Sequence, residues 1–595
     1  MHKYRLELSS QTKNHIYLFL LMVGLFVSVE TLGPIFQSCE RGFDINHPLN
    51  AVPCAMFNAA VIILILSCMH RFVFSGMIVF TLIYGCLCYA NLMHYRGLDS
   101  YLPFQMMTET QQLEGLGSSI FGLVRWYDVF YLVLPAVILF YFFRIKKNFT
   151  EFRFVRHLAI VGAFILVMSV PYFFAHKSIG ATMQRFRGQV IERCHLQPID
   201  TYQTLGLVPI IYFQAYMASN SDAYDMITDE EMSQIKGLIQ ENVEANNLCD
   251  TSVVTPKKNV VVMLMESLNT ACISPSVMPT LDSLSNLSTS LYCPKTNQLS
   301  QGAMSIGGQF VVLSGLHGLM SAPFSSLCPY NVYPSIAKDL KARYDDLSSF
   351  TVVSTDKYYW RQNEVSDALG FENLYGVKDG ITLFNRNKWA DDKAVFQKTL
   401  DIIPDDGRAF CALIVPSNMH SNYDPDWTLD YEVAFEGVSD PKCHEYFRRA
   451  RYLDDQIAHF VNELKSRGLY EETMIVVTSD HQVPWNYCSE EMCSTLSAYF
   501  PSVFINAGGC WDENNQRNKD VVFCHSQIYP TMLQLMGLKP DEYAGLFPPM
   551  TNVEASVEYA FDKCAYNETE NDRLKQIYHL QEKMIRSGYF GRIGN

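Results

Sequence analysis

The sequence predicts an N-terminal five-helix transmembrane bundle followed by an extracytoplasmic α/β domain, whose mostly parallel central sheet is flanked by helices. Three observations predict this. Five long apolar runs fall within residues 1–175. Beyond residue 257, short β-branched runs alternate with helix-like stretches, a pattern typical of a parallel sheet covered on both faces. Two of those runs end in acidic or imidazole side chains, as strands that lead into a ligand site do.

The five apolar runs are each close to the length that a helix needs to cross the hydrocarbon core of a membrane. Buried helices of a soluble protein are the alternative, but the runs are too many and too long for it. The first run lacks a small-residue cleavage site and is followed by further spans, so we expect it to be retained rather than cleaved as a signal peptide. The runs are Ile16–Phe36, Pro53–Met69, Phe72–Met93, Tyr127–Phe143 and His157–Ala175.

Basic residues in the loops predict the orientation, because Lys and Arg favour the cytoplasmic side. They concentrate in the N-terminal tail, in the second turn and in the fourth loop, which lie on one side of a five-span protein. We therefore expect a cytoplasmic N-terminus, with the chain after about residue 176 outside the cytoplasmic membrane, in the periplasm or at the cell surface. These residues are Lys3, Arg5, Lys13, Arg71, Arg144, Lys146, Lys147, Arg153 and Arg156.

Composition and pattern divide the chain into four predicted parts. They are a transmembrane domain (1–175), a helical connector (176–257), an α/β catalytic domain (258–560) and a C-terminal helical tail (561–595). In the connector, Thr228 stands three residues before Glu231, the pattern of a capping box at a helix start. The net charge of −15 argues against nucleic acid as a partner, because a phosphate backbone requires a basic face.

Cysteine usage is compatible with export. Twelve of the 17 cysteines follow residue 176, and an exported domain can oxidise them. Closeness in sequence makes Cys488 with Cys493, and Cys510 with Cys524, candidate pairs. Mostly reduced, buried cysteines are the alternative, because sequence alone does not fix connectivity.

Potential metal ligands end two of the predicted strands. In "NVVVMLMESLNT" (259–270) an apolar run leads to Glu266, and in "MIVVTSDHQVPW" (474–485) another leads to Asp480 and His481. Two carboxylates and an imidazole at one edge of a sheet suit zinc, manganese or magnesium. The alternatives are a solvated acid at Glu266 and a turn with a helix cap at Asp480 and His481.

A candidate nucleophile lies in "SQGAMSIGGQFVVLSGL" (300–316). Ser305 stands in a bend of small residues, where glycines let backbone amides approach a bound anion. A divalent cation lowers the pKa of an alcohol, so a serine beside the metal can attack phosphorus. Ser300 and Ser314 are competing serines, and a capping or turn role for Ser305 is the alternative. The Gly-x-Ser-x-Gly elbow of serine hydrolases does not surround Ser305.

Two further segments suit a phosphate-linked substrate. His420, in "IVPSNMHSNYD" (414–424), can hydrogen-bond a phosphate oxygen or a leaving group. Lys357, Trp360 and Arg361 cluster in "STDKYYWRQNE" (354–364), where Arg suits phosphate and Trp offers a flat wall for a glycerol or lipid fragment. A structural histidine and a surface loop with a packed Trp are the alternatives. His525, before an apolar helical stretch, is interpreted as structural rather than as a ligand.

In their order and spacing, these segments resemble the lipoteichoic acid synthase family, within the alkaline phosphatase and sulfatase superfamily. The resemblance covers nearly the whole chain. It includes the five spans, the outer loop of residues 91–130, the strand that ends at Glu266, "AMSIGGQFVVLSGL" (303–316), and the helix and strand over residues 452–482. A mostly parallel α/β sheet of the alkaline phosphatase and sulfatase type is the fold that this resemblance implies.

The resemblance also implies roles for individual residues. Glu266, Asp480 and His481 would bind one divalent cation, together with Ser305, which stands where the family usually has a threonine nucleophile. The cation would be manganese, with magnesium and zinc as alternatives. His420 and Trp360 match positions that contact the substrate head group. The family tends to show Trp-x-Arg, whereas here Arg361 follows Trp360 directly, and Lys357 lies in the same segment.

The activity that the resemblance implies is head-group transfer. A phosphate-linked group, phosphoglycerol in the first place, would pass from a membrane phospholipid donor to an envelope glycan or lipid acceptor through a phospho-serine at Ser305. The alternatives are a phosphoethanolamine transferase, a sulfatase-like phosphoester hydrolase and a silent scaffold with a degenerate site. A true sulfatase is disfavoured, because Ser305 is followed by Ile-Gly-Gly-Gln and not by the Pro and Arg of the formylglycine motif.

Overall fold

The computed structural model describes most of the chain after residue 255 and a smaller part before it. The described residues form two compact units. The first unit comprises Met1–Arg96, Ser100–Leu102 and Val124–Ser219, and the second comprises Gly97–Asp99, Pro103–Leu123 and Asn220–Asn595. The described residues are 10–40, 55–56, 58–59, 62, 73–98, 101–103, 117–146, 202, 206–219, 226–247, 255–298, 305–319, 324–381, 389–425, 431–507, 519–540, 542–552 and 571–591.

Apolar helices build the first unit. Among the residues that the structure describes before residue 226, the helices with defined bounds are α1 (Ser10–Glu40), α2 (Val73–Leu98), α3 (Gly117–Gly122), α4 (Phe130–Lys146) and α5 (Leu207–Ser219). Of these, α3 belongs to the second unit. Within the described part of the chain, α1 and α2 contain stretches long and apolar enough to cross a membrane, and a shorter apolar stretch covers α4. The second predicted run is described at only a few residues and the fifth lies outside the described residues, so the five-helix bundle stays a prediction.

A buried ion cluster joins the helix ends of the first unit. The guanidinium of Arg96, which is buried, donates to Glu40 Oε1 at 2.6 Å and to the two carboxylate oxygens of Asp128 at 2.8 and 2.9 Å. Tyr127 donates to the same oxygen of Glu40 at 2.7 Å. A charge removed from water is stable only with such partners, so the cluster fixes the ends of α1 and α2 against the short 3₁₀ turn Trp126–Val129.

The second unit contains an eight-stranded sheet with the order β4-β3-β5-β1-β6-β7-β2-β8. The prediction of a mostly parallel sheet is wrong: the sheet is mixed, because β7 runs antiparallel to both β6 and β2. The chain between β6 and β7 holds only short helical turns, and a return without a crossover helix produces an antiparallel neighbour. The strands are β1 (Asn259–Met265), β2 (Leu291–Asn297), β3 (Ser348–Val353), β4 (Asn373–Tyr375), β5 (Phe410–Val415), β6 (Thr473–Ser479), β7 (Phe500–Ile505) and β8 (Phe523–Cys524).

Helices surround this sheet. Every side chain of β1 and β6 is buried, as expected for central strands covered on both faces. The helices are α6 (Asp229–Asn247), α7 (Pro279–Ser285), α8 (Ser305–Ser314), α9 (Phe324–Leu327), α10 (Ile336–Arg343), α11 (Gln362–Ala368), α12 (Asp392–Ile402), α13 (Pro441–Ser466), α14 (Glu490–Thr495), α15 (Ile528–Leu535) and α16 (Asn571–Ser587).

The predicted capping box at the start of α6 is confirmed. Thr228 N–H donates to the Glu231 carboxylate at 2.8 Å, and Glu231 N–H donates to Thr228 Oγ1 at 3.2 Å. The C-terminal helix α16 lies against α6, where Arg573 pairs with Glu241 at 2.8 Å. Connector and tail therefore pack on each other, although the predicted domain bounds themselves stay predictions.

Three of the four cysteines of the candidate pairs lie among the described residues, and all three are thiols. Cys510 lies outside the described residues, so its pairing with Cys524, which is buried, stays a prediction. Burial raises the pKa of the Cys488 thiol, and the nearby Cys493 thiol raises it further. Cys493 is exposed and Cys488 half-buried.

Candidate active site

The ends of two adjacent strands place the predicted carboxylates side by side. β1 and β6 are parallel neighbours, with Met265 opposite Ser479. Asp480 N–H continues the ladder by donating to Met265 C=O at 3.0 Å. Because the two parallel strands end at the same edge of the sheet, Glu266 and Asp480 project into the same space.

Four predicted residues meet in that space. His481 Nε2 lies 3.3 Å from Glu266 Oε1 and 3.4 Å from Asp480 Oδ2. Ligand atoms of Glu266, Asp480 and His481 all lie within 4.8 Å of one another, and all three residues are buried. Ser305 Oγ donates to the second oxygen of Glu266 at 2.9 Å. Side chains from three separate segments therefore form one compact cluster.

Ser305 reaches the cluster because α8 begins at this residue and packs closely on the end of β6. A Cβ added at Gly308 would lie 2.2 Å from the carbonyl oxygen of Asp480, far inside van der Waals contact, whereas one added at Gly307 would meet nothing within 4 Å. Only a glycine at position 308 allows this approach. Close packing therefore requires glycine at position 308 but not at position 307.

Ser267 links the two carboxylates, and sequence reasoning missed it. Its N–H donates to Asp480 Oδ1 at 2.9 Å, and its hydroxyl donates to Glu266 Oε1 at 3.1 Å. Ser267 is fully buried and has a left-handed backbone with φ of 52°. Such a conformation is uncommon for a residue other than glycine and occurs often at functional sites.

The electrostatics of the cluster call for positive charge. Burial, together with the negative charge of Glu266, raises the pKa of Asp480 to about 7. Burial alone would lower the pKa of His481, but the carboxylates of Asp480 and Glu266 raise it to about 10. Burial likewise opposes ionisation of Glu266, yet the imidazoles of His420 and His481 hold the pKa of Glu266 below its usual value. The site therefore retains protons where a cation would otherwise balance the carboxylates.

The donor set fits a divalent metal ion. It offers two carboxylates, an imidazole and a hydroxyl, which suit a hard or borderline cation. Asp480 Oδ2 is buried and has no hydrogen-bond partner among the described residues, as expected for an oxygen that serves as a ligand. Glu266, Asp480 and His481 are thus the residues of this site that could hold a metal.

His420 lies beside the cluster on the loop that follows β5. Its Nδ1 lies 2.6 Å from Ser421 C=O. Since a carbonyl only accepts, Nδ1 carries the proton and Nε2 has the lone pair. Burial lowers the pKa of His420, and the charges of Glu266 and His481 both act on it. With Nδ1 engaged in this way, Nε2 is the ring nitrogen that can accept a proton from a substrate group.

Two buried residues with ionisable side chains, Arg449 and Asp392, support the loop around His420. The guanidinium of Arg449 donates to the carbonyl oxygen of His420 at 2.8 Å. Asp392 accepts the N–H groups of Ser417 and Asn418 at 2.9 and 3.0 Å, and burial raises its pKa to about 8. Sequence reasoning missed Asp392, because two acids at a helix start indicate a cap and nothing more.

The predicted substrate segment forms a strained turn near the cluster. Trp360 and Arg361 both have left-handed backbones, with φ of 51° and 55°. Lys357 pairs with Asp379 at 3.6 Å. Burial raises the pKa of Tyr359, and the charge of Glu266 raises it further, so this phenol, which sequence reasoning missed, lies within electrostatic range of the cluster.

The competing serine Ser314 and the histidine His525 have other roles. Ser314 is buried and donates to Phe310 C=O within α8, which removes it as a nucleophile. Ser300 lies outside the described residues. The imidazole of His525 packs against Phe500 with ring centres 4.9 Å apart, and burial lowers its pKa to about 3. These features agree with the structural interpretation of His525.

Comparison with known proteins extends over both units. A family model described as "Lipoteichoic acid synthase N-terminal domain" matches residues 1–222, and one described as "Sulfatase" matches residues 258–538. Lipoteichoic acid synthase of Staphylococcus saprophyticus is 24% identical over 505 residues, covering 79% of this chain and 73% of the relative. The enzyme of the same name from Staphylococcus aureus is 24% identical over 488 residues, covering 77% and 72%.

A solved membrane protein has a similar fold. The integral membrane protein lipooligosaccharide phosphoethanolamine transferase A from Neisseria meningitidis is 13% identical and aligns with a TM-score of 0.51. The alignment covers 89% of this chain and 96% of the transferase. At this identity the comparison concerns the fold alone.

Proposed function

Since this chain belongs to the lipoteichoic acid synthase-like family of the alkaline phosphatase and sulfatase superfamily, we propose that it transfers a phosphate-linked head group. The donor is a membrane phospholipid, with phosphoglycerol the head group transferred, and the acceptor is a glycan or lipid of the cell envelope. One observation carries the proposal: the Ser305 hydroxyl lies 2.9 Å from Glu266, inside a buried cluster of ligand type.

In this proposal Glu266, Asp480 and His481 hold one divalent cation, for which manganese is our choice and magnesium and zinc are the alternatives. When bound, the cation lowers the pKa of the neighbouring serine hydroxyl and balances charge on the transferred phosphoryl group. The buried, like-charged carboxylates support this assignment, because two such groups in low dielectric require a counter-charge.

Ser305 acts as the nucleophile in the first step. Its Oγ forms a bond to phosphorus while the bond from phosphorus to the diacylglycerol oxygen breaks. The proton that the serine loses is gained by the diacylglycerol oxygen, so diacylglycerol leaves as an alcohol. The product is a phospho-serine that carries the head group. The start of α8 supports this role, because it holds the hydroxyl at the cluster with little freedom to move.

His420 acts in the second step. An acceptor hydroxyl attacks the phospho-serine, and the bond from phosphorus to Ser305 Oγ breaks. The proton that the acceptor hydroxyl loses is, in the net reaction, the one that Ser305 Oγ regains. Because Nδ1 of His420 is engaged with Ser421 C=O, Nε2 is free of its own proton and can accept the one that the acceptor hydroxyl loses. Trp360, Arg361 and Lys357 then line the path of the head group.

Phosphoethanolamine transfer is the second candidate. It would use the same nucleophile and the same cation, and we offer it because a phosphoethanolamine transferase has a similar fold over 89% of this chain. Nothing in the cluster of described residues selects a neutral glycerol over an ammonium group. The donor test therefore offers both lipids.

The test is intact-mass analysis of the purified full-length protein in lipid nanodiscs. Nanodiscs contain either phosphatidylglycerol or phosphatidylethanolamine, with manganese and no acceptor. We expect a mass increase equal to one phospho-head group from one of the two lipids, located by peptide mapping to Ser305. The lipid that gives the increase identifies the donor.

Ser305→Ala is the variant that decides the nucleophile, and Ser300→Ala, in the same segment, is its matched control. Ser305→Ala should lose the adduct and turnover while manganese binding persists. Turnover by Ser305→Ala at the wild-type rate would remove Ser305 from the mechanism. Tight metal binding without any adduct or turnover in wild type would instead favour the silent scaffold, and free head-group phosphate with no acceptor would favour a hydrolase.

A further inference from the structure

We propose that helix α3 is a positioning element of the active site, which fixes the orientation of His420 from the segment between the apolar helices α2 and α4. The inference rests on the proposed function for the role of His420, but its geometry is independent of that role. Helix α3 lies in the second unit, with the sheet, although in sequence it precedes the sheet by more than a hundred residues.

The first contact of α3 is with the carbonyl group that orients His420. Ser119, which is 4% exposed, donates from Oγ to Ser421 C=O at 3.0 Å. The same carbonyl oxygen accepts the Nδ1–H of His420 at 2.6 Å. One oxygen with two lone pairs thus receives a donor from α3 and a donor from the histidine. The position of Ser119 therefore affects where the imidazole points.

The second contact of α3 is with the loop that follows the ligand pair. Tyr487, which is buried, donates from its hydroxyl to Ser119 C=O at 3.3 Å. Tyr487 belongs to the 3₁₀ turn Trp485–Tyr487, a few residues after Asp480 and His481. Ser119 thus joins the loop after β5 to the loop after β6, the two loops that deliver His420 and the ligand pair.

Close packing at the end of α3 agrees with a built contact. A Cβ added at Gly122 would lie 3.2 Å from Asn422 Nδ2 and 3.6 Å from Asn422 Cβ. Leu123, which follows α3, is buried. Gly117 at the other end is exposed, and a Cβ there would meet nothing within 4 Å. The helix is therefore seated on the Ser421–Asn422 segment by its C-terminal half.

This contact assigns a role near the active site to the segment between α2 and α4. A loop between two spans needs only a few residues to connect them, whereas this one carries a helix that is packed against the residue next to His420. The consequence is that the imidazole depends on a segment outside the predicted catalytic domain of residues 258–560.

Disulfide trapping tests the geometry without reference to activity. The distance of 3.6 Å from a Cβ at position 122 to Asn422 Cβ is within the range of a disulfide. The double variant Gly122→Cys/Asn422→Cys in the full-length protein should form a cross-link between peptides 122 and 422 under mild oxidation, read by mass spectrometry. Gly117→Cys/Asn422→Cys is the matched control and should give none. Absence of the 122–422 cross-link would overturn the docking.

Kinetic variants test the positioning role. Ser119→Ala removes one hydrogen bond and should lower kcat roughly fivefold, the factor that corresponds to about 1 kcal/mol, with KM and manganese affinity unchanged. Ser119→Thr, which keeps the hydroxyl, should restore the rate, and Gly117→Ala should behave as wild type.

A double-mutant cycle with His420 separates positioning from general stability. If Ser119 acts through the imidazole, Ser119→Ala should have no further effect on kcat in the His420→Ala background. An equal fivefold loss in both backgrounds would show that Ser119 acts elsewhere and would overturn the proposal. Failure of the proposed function looks different: the 122–422 cross-link would form while no donor lipid gives turnover.

Discussion

At the scale of the residue, Ser267 best illustrates how one side chain can organise a metal site without touching the metal. It donates to Glu266 through its hydroxyl and to Asp480 through its N–H. Each bond occupies one carboxylate oxygen and leaves the other oriented toward Ser305 or His481. Groups that orient metal ligands in this way typically contribute 10-fold to 100-fold to metal affinity.

We predict that Ser267→Gly and Ser267→Ala both weaken manganese binding by about 10-fold to 100-fold, because both lose the hydroxyl that orients Glu266. The two variants differ in backbone. Glycine accepts the left-handed conformation of this position, whereas alanine should be less stable than glycine by about 1 kcal/mol. Isothermal titration with manganese measures affinity, and chemical unfolding measures stability. Unchanged affinity in Ser267→Gly would refute the orienting role.

The sequence could predict which residues lie together in the cluster but not the residues that orient them. Glu266, Asp480 and His481 stand at the ends of apolar runs, and a strand end is visible in a sequence. The role of Ser267 depends on a left-handed backbone and on its own N–H, neither of which has a sequence pattern. Tyr359 stands directly before Trp360 and Arg361, and no sequence pattern indicates that the charge of Glu266 acts on its phenol.

At the scale of the element, the contact between α8 and the end of β6 determines where the nucleophile stands. The helix begins at Ser305, and one turn later Gly308 lies against the backbone of Asp480. This contact joins the helix of Ser305, the proposed nucleophile, to Asp480, a proposed metal ligand. A change in the packing at position 308 therefore alters the distance between them.

We predict that Gly308→Ala lowers the transfer rate by about 100-fold, the effect of displacing a reacting group by about 1 Å. Overpacking against the Asp480 carbonyl should also destabilise the protein by about 1–3 kcal/mol. Gly307→Ala is the matched control in the same helix: a Cβ there meets open space, and the substitution should gain up to about 1 kcal/mol from helix propensity. Rates and unfolding curves of the two variants provide the comparison. Equal rates for both would disprove the packing argument.

Elements were predictable where the hydrophobic pattern was continuous. The apolar runs that lead to Glu266 and to Asp480 match β1 and β6, and the helix start predicted from Thr228 and Glu231 matches the start of α6. β2 was missed because it contains Pro294 and an irregular register. β4 and β8 have only three and two residues, too short for any periodicity.

The sequence pattern also could not predict that β7 runs antiparallel to its neighbours. A buried strand has the same apolar run whichever way it points, so alternation with helices favoured a parallel sheet. The 20 residues between β6 and β7 contain only brief helical turns, and this connection decides the direction. Residue pattern thus predicts that a strand exists, and the length of regular helix before it predicts its orientation.

At the scale of the whole molecule, one chain carries both the apolar helices and the unit that contains the candidate active site. A lipid donor is confined to the membrane, and an enzyme tethered there meets it at high effective concentration. The positive-inside pattern of the sequence predicts that the second unit lies outside the cytoplasm. This sidedness also sets the redox environment of its cysteines.

The thiols of Cys488 and Cys493 make that sidedness measurable. The two thiols lie close enough for Cys493 to raise the pKa of Cys488, and a disulfide between them would form by loss of two electrons and two protons to an external oxidant. In sphaeroplasts we expect a membrane-impermeant maleimide to label exposed Cys493 only after treatment with an impermeant phosphine reductant. Peptide mapping by mass spectrometry identifies the labelled cysteine.

Cys488→Ser separates the two conclusions that this labelling supports. The substitution leaves Cys493 without its partner, so labelling should then occur with no reductant if the second unit lies outside. Labelling of Cys493 in the wild type without reductant would disprove the disulfide but retain the sidedness. Labelling of the Cys488→Ser variant only after the membrane is permeabilised would place the second unit in the cytoplasm. Ser305 would then have no access to an envelope acceptor, and the proposed transfer would fail for a reason unrelated to the chemistry of the cluster.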